Sequence, residues 1–186
     1  MNAKALVWRL RDHYVDQFRS FVALQRRQHP KGASEVKFRV PEEAGFFGQM
    51  CCVDFIRNDG AVIPVEFTPE RFLTFEPTSG TLGNASLAVG RFTWDDVVIR
   101  HDLDRLPSDK LSKWFRLRFD PDDIRHNSLS ELSEIIHSVR EQPHQISIDF
   151  GTAKPDAFWD LLQLIVDAGA VRVEISGSRP DAADDD

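Results

Sequence analysis

Between Trp114 and Ser176 the chain carries three short segments in which apolar and polar residues alternate, and no other stretch restricts the fold as much. Phe115, Leu117 and Phe119 alternate with Arg116 and Arg118, Ile146, Ile148 and Phe150 with Ser147 and Asp149, and Val171, Val173 and Ile175 with Arg172 and Glu174. A period of two over about five residues describes a strand with one buried face. Between the first two segments, Ser128-Leu129-Ser130-Glu131 has the form of a helix capping box, and Leu129, Leu132, Ile135, Ile136 and Val139 follow at helical spacing. Between the second and third, Pro155 to Ala168 carries Phe158, Leu161, Leu162 and Ile165 and stops at Gly169, a residue that favours helix ends. The spacing predicts a β-α-β-α-β unit over residues 113–178.

Each of these strands keeps a polar face, whereas doubly wound sheets are apolar on both sides. The expectation is therefore a two-layer arrangement. Strands 115–119, 146–150 and 171–175 lie side by side and parallel, with both helices on one face of a mixed sheet. Asp149 then sits between the arginines of the first strand and the Arg172 and Glu174 of the third.

Upstream, Val7, Leu10, Tyr14, Phe18, Phe21 and Val22 form a helical stripe, so residues 3–28 read as one long helix ended by His29-Pro30-Lys31-Gly32. From Val36 to His101 the pattern is strand-like. Cys51, Val53 and Phe55 lead through Asn58-Asp59-Gly60 to Ile63, Val65 and Phe67, a hairpin signal in which Gly supplies the left-handed residue. Pro64, lacking an amide hydrogen, places its strand at a sheet edge. Segments 71–76, 85–92 and 96–101 read as further strands, 77–84 as a loop, and 103–113 as a connector helix beginning near Pro107. The class is α+β: a long N-terminal helix (1–34), an antiparallel β-rich subdomain (35–112), the β-α-β-α-β subdomain (113–178) and a disordered acidic tail (179–186).

The formal charge of −7 is unevenly spread, with +5 in residues 1–32, −4 in residues 181–186 and −8 elsewhere. An acidic body argues against nucleic acid as the main partner, because phosphate neutralisation needs clustered Lys and Arg. Arg9 and Arg11 interrupt the apolar stretch near the start, which predicts neither a membrane span nor a secretory signal and hence a cytoplasmic protein. Cys51 and Cys52 are adjacent on a strand and point to opposite faces, where each acts as a small hydrophobe.

Candidate chemistry gathers at the carboxyl ends of the three expected strands, where open α/β sheets bind ligands. Asp120, Asp122 and Asp123 follow the first, Thr152 and Lys154 the second, and Ser176 and Ser178 the third, a mixture suited to an anionic small molecule or a divalent cation. Asp120, Asp122, Asp123 and His126 alone offer hard oxygens with one imidazole, a set for a divalent metal, although Asp-Pro-Asp-Asp is equally a good turn sequence. His101, Asp102 and Asp104, with Asp95 and Asp96 upstream, place a histidine beside carboxylates without any nucleophile signature. No cofactor signature is evident. The functional expectation is a non-catalytic binding protein with a protein partner, or with itself through helix 3–28. The alternative is a small-molecule or metal-dependent enzyme working at the carboxyl edge of the C-terminal sheet.

Overall fold

The computed structural model describes residues 3–39, 50–125 and 130–179. Its class is α+β. α1 (Ala3–Gln28) is followed by an antiparallel three-stranded sheet of β1 (Ala33–Arg39), β2 (Met50–Asn58) and β3 (Val62–Val65), in that order. A mixed six-stranded sheet comprises β4 (Thr78–Leu82), β5 (Ala85–Val89), β6 (Val97–His101), β7 (Ser138–Gln142), β8 (Gln145–Asp149) and β9 (Arg172–Ser176), ordered β4-β5-β9-β6-β8-β7. α2 (Ser108–Phe119) and α3 (Asp156–Asp167) complete it.

The stripe on α1 forms for the reason its spacing gives: Leu6, Val7, Leu10, Tyr14, Val15, Phe18 and Val22 are all buried, and they share one core with the inward residues of the large sheet. Val97, Ile99, Ile146, Ile148, Val173 and Ile175 supply that inward face. Register makes the set continuous, with Ile99 opposite both Ile146 and Ile175 and Val97 opposite Ile148. α3 is the second helical layer, and Trp114 of α2 locks onto it by donating its indole N–H to the Ala157 carbonyl at 3.0 Å.

Two segments of the C-terminal region depart from the sequence expectation. Residues 115–119 are the last part of α2, not a strand. The buried residues Leu111, Trp114, Phe115 and Phe119 stand at intervals of three, one and four, which is helical spacing, while Leu117 is 52% exposed, as its place on the other side of a helix requires. Five alternating residues fit either period. The flanking Leu111 and Trp114 decide it. The segment expected to form the first crossover helix contains no helix over residues 130–139 and ends in β7, while Ser128 and Leu129 of the capping-box pattern lie outside the described residues. Its backbone donors are spent on distant partners: Ser133 on Glu35, Ile135 on Thr152 and Ile136 on the Arg118 carbonyl. Glu134 has φ 56, a left-handed conformation that a helix interior excludes.

The β-α-β-α-β order is thus replaced by α2-β7-β8-α3-β9. β8 and β9 run in the same direction and are joined by α3, but β6 lies between them, antiparallel to both. This is a split β-α-β unit. The six-stranded sheet draws β4 to β6 from upstream of residue 113 and β7 to β9 from downstream. Residues 77–84, expected as a loop, contain β4 and a two-residue connection, Gly83-Asn84, with Gly83 at φ 57. Residues 71–76 form no strand, and Arg179, expected in the disordered tail, is held by Asp95 and Asp96; residues 180–186 lie outside the description.

The hairpin of β2 and β3 is as expected, with Gly60 at φ 104 and Pro64 on the edge strand. Its inward face has the opposite parity, since Cys52 packs on the core and Asp54 and Ile56 share its side of the strand. Phe55, on the other face, is buried because its ring lies over Gly32, where an added Cβ meets it at 2.4 Å.

Because α1 spends its apolar face on its own chain's core, Phe18→Ala removes a fully buried ring and is expected to cost about 3–5 kcal/mol. Leu24→Ala, at a position 42% exposed, is expected to change stability by less than about 0.5 kcal/mol. Urea unfolding of both variants checks the pair; a larger loss at Leu24 than at Phe18 contradicts this packing.

Candidate functional site

The structure distributes the sequence candidates among several partners. Asp120 ends α2 in a left-handed conformation, φ 53, and its carboxylate accepts from the backbone N–H groups of Ile124 and Arg125 at 3.0 and 2.9 Å. Lys37 of β1 donates to the Asp120 carbonyl and to the Asp123 carboxylate, so these two residues are brought together by an ammonium; Asp122 stands in the intervening turn. Thr152 donates its hydroxyl to Glu35, Lys154 pairs with Glu134 at 2.6 Å, and Ser176 accepts from Arg100 at 3.0 Å. Ser178 is bound by Asp96, and His126 lies outside the described residues. Among the described residues no group of three or more His, Cys, Asp or Glu side chains is arranged to hold a metal ion. His101 is buried with Nδ1 on the Leu103 carbonyl at 3.0 Å, and burial lowers its pKa. Asp102 accepts the backbone N–H of Val171 at 3.1 Å where the chain enters β9.

The densest constellation centres on a residue that sequence reasoning passed over. His137, 1% exposed, precedes β7 and stands where the two sheets meet, its carbonyl accepting from Cys52 N–H of β2 at 2.7 Å. Glu35 and Asp54 lie across from each other at the position where the β1–β2 pairing is interrupted, between the Ser34–Phe55 and Val36–Val53 pairs, with Glu35 at φ 52. Two carboxylates in that relation repel. Here the imidazole comes between them, Nε2 hydrogen-bonded to Glu35 Oε1 at 3.3 Å and Nδ1 3.0 Å from Asp54 Oδ1 as an ion-pair contact outside hydrogen-bond geometry, with Asp149 Oδ2 3.9 Å from Nδ1. Glu35 also accepts from Ser133 N–H at 2.7 Å and from the Thr152 hydroxyl, and Asp54 from Phe67 N–H at 2.7 Å. The ring of Phe18 stands edge-on to the imidazole at 5.6 Å, closing the cluster against α1. Gly151 leaves room on another side, since a Cβ there would lie 2.1 Å from the His137 ring.

Electrostatics assign the protons. Burial opposes charge on His137, yet the carboxylates of Asp54, Glu35 and Asp149 around it hold its pKa well above the ordinary value. Burial also works against the Glu35 carboxylate, but its bonds to His137, Thr152 and Ser133 bring its pKa below the ordinary value. Asp149 is pushed up to about 7, first by burial and then by Asp54 and Asp95. Burial drives the Cys52 thiol to about 12, so it is no nucleophile at neutral pH. The cluster is an imidazolium clamped by carboxylates, closed to a substrate, that fastens the small sheet to the large one.

The opposite face of the large sheet is open. Arg100 of β6, Arg140 of β7 and Arg172 and Glu174 of β9 are exposed on it, with Ser86, Ser147 and Ser176 between them. Arg100 stands opposite Glu174, Arg140 opposite Ser147 and Arg172 opposite Ser86. Neither Arg140 nor Arg172 has a side-chain partner among the described residues. Two shallow depressions lie here, one lined by Thr81, Ser86, Ala88, Arg172 and Glu174 and the other by Arg100, Asp102, His144, Arg172 and Glu174.

The pKa shifts set the direction of the pH dependence. His137, raised above its unfolded value, contributes stability that is full below about pH 6.5 and is lost as pH rises through its folded pKa. Asp149, raised from 3.8 to about 7, makes the folded state bind an extra proton between those values, so stability falls as pH rises across that window. Glu35, lowered, acts oppositely: its contribution is present above about pH 4.5 and is lost as pH falls through its folded pKa. Thermal unfolding is expected to show stability that falls as pH rises from about 5 to 8, first through Asp149 and then through His137. Asp149→Asn, which keeps the neutral form at every pH, flattens the slope between pH 5 and 7; an unchanged slope contradicts the assignment to Asp149. Comparison of the chain with protein-family models, with curated proteins and with solved structures finds no match.

Proposed function

We propose that the protein is a non-catalytic cytoplasmic binding module that receives an acidic segment of a protein partner on the open face of its six-stranded sheet. The observation that carries the reading is a sheet covered by helices on one side only, with Arg100, Arg140 and Arg172 exposed on the other. Three guanidinium groups against the carboxylate of Glu174 leave this face locally positive on a chain whose net charge is −7. That field favours carboxylate-rich ligands, which planar guanidinium groups bind through paired hydrogen bonds. Six strands about 4.8 Å apart and five residues long present roughly 500 Å² in projection, more than half of the roughly 800 Å² per partner of a standard interface.

Further observations bear on the non-catalytic, cytoplasmic parts of the reading. The histidine with the strongest carboxylate environment is sealed beneath α1, so its chemistry is directed at the fold. Cys51 and Cys52 are both free, which suits a reducing compartment. Among the described residues no helix is long and apolar enough to cross a membrane.

The test titrates isotopically labelled protein with a twelve-residue polyglutamate, a polylysine of equal length and a single-stranded oligonucleotide, following backbone amides. Polyglutamate is expected to shift Arg100, Arg140, Ser147 and Arg172, more weakly as salt rises, and to lose at least tenfold in affinity when the three arginines are changed to Glu. Polyglutamate shifts that avoid this face, or tighter binding of the oligonucleotide, overturn the proposal.

A further inference from the structure

Two acidic side chains, Asp95 and Asp96, hold the chain at the rim where β6 begins and β9 ends. Asp96 fixes the chain leaving β9: its carboxylate accepts from Ser178 N–H at 2.9 Å, from the Ser178 hydroxyl at 2.7 Å and from Arg179 N–H at 3.0 Å. The Arg179 side chain then reaches residues bordering a recess between α1 and residues 69–73. There it donates to Asp95 Oδ2 at 2.8 Å and to the Thr93 hydroxyl at 3.4 Å, with its guanidinium 5.9 Å from the centre of the Phe72 ring. Gln17 of α1 holds the outer wall, accepting from the N–H groups of Glu70 and Arg71 at 3.2 and 3.0 Å and donating to the Arg71 carbonyl at 2.9 Å.

The burial of the two partners is unequal. The Asp95 side chain is 8% exposed and that of Arg179 45% exposed. Asp95 Oδ1 is buried without a hydrogen-bond partner among the described residues, and so is the indole nitrogen of Trp94, which lines the same recess. A buried carboxylate is costly unless its lone pairs are used, and a guanidinium ordinarily satisfies both oxygens side by side. Arg179 uses one, because its backbone is tied to Asp96 and its side chain approaches from one end. The recess therefore contains more acceptor capacity than its occupant takes up. A carboxylate, a hydroxyl and an aromatic face around one plane match a guanidinium; an ammonium, a point charge, uses only part of that set.

We propose that the Asp95 recess is an arginine-binding site, its Asp95 carboxylate engaged in this structure by the chain's own Arg179 and able to accept the arginine of a partner peptide when that segment lifts away. A freely placed arginine engages both Asp95 oxygens and stacks on Phe72. The C-terminal segment is then a competitor held in cis, tethered by Asp96. This site is on a different part of the molecule from the open sheet face and stands independently of it.

The experiment uses the full chain with Arg179→Ala, probed with N-acetyl-L-arginine methylamide and, separately, with the lysine analogue at equal millimolar concentrations. Loss of Arg179 is expected to lower Tm. The arginine analogue restores at least half of the loss with saturable dose dependence and shifts the Trp94 indole N–H resonance, and the lysine analogue does neither. Phe72→Ala in the same background changes an exposed ring and should weaken the arginine analogue about two- to fivefold. Asp95→Asn should abolish its effect; should that variant not fold, the Phe72 result and the indole shift decide. Equal responses to the two analogues, no indole shift, or affinity indifferent to Phe72 would overturn the proposal.

Discussion

The fold depends on one buried imidazolium. Without His137, β1 and β2 would bring Glu35 and Asp54 face to face in a dry junction, and each added carboxylate there raises the cost of the others. With it, two strands of the small sheet and the entry to β7 in the large one share a single charge-compensated contact. Removing one member leaves an uncompensated buried charge, which costs far more than the intact cluster contributes. The surrounding groups are placed accordingly: Thr152 and Ser133 fill the remaining acceptor sites of Glu35, and Gly151 yields space that any side chain would take from the ring.

This junction also divides the molecule by role. Helices α1 and α3 and the inward residues of the large sheet form one apolar core, and the chemically richest cluster is sealed within the structure. What remains in contact with solvent is a sheet face bearing arginines and a rim where acidic side chains hold the chain leaving β9.

Much of the fold was legible where one period ran long enough to exclude the other. α1 repeats its stripe from Leu6 to Val22, about five turns, α3 carries a broad apolar face, and the β2–β3 hairpin announces its turn with Asn58-Asp59-Gly60. Over five residues the signal was ambiguous, as in 115–119, where Phe115 and Phe119 fit both a strand and a helix until Leu111 and Trp114 are included. Leu132, Ile135, Ile136 and Val139 were recognisable as core residues but not as extended chain, because their backbone partners, Glu35, Thr152 and Arg118, are remote in sequence. The same remoteness hid the junction. Glu35 and His137 are 102 positions apart, and only Asp54 left a local trace, as a charge on a strand whose neighbours are apolar. Thr152 was marked as a candidate for ligand binding, and in the structure its hydroxyl serves Glu35.

The charge state of His137 tests the account most directly. Nitrogen-15 and proton spectra of the imidazole report whether one or both ring nitrogens carry a proton. The clamp between Glu35 and Asp54 requires His137 to be doubly protonated at pH 7, with both ring protons slow to exchange with solvent. A ring that titrates at or below about 6.5, the ordinary histidine value, or that is neutral at pH 7, would contradict it.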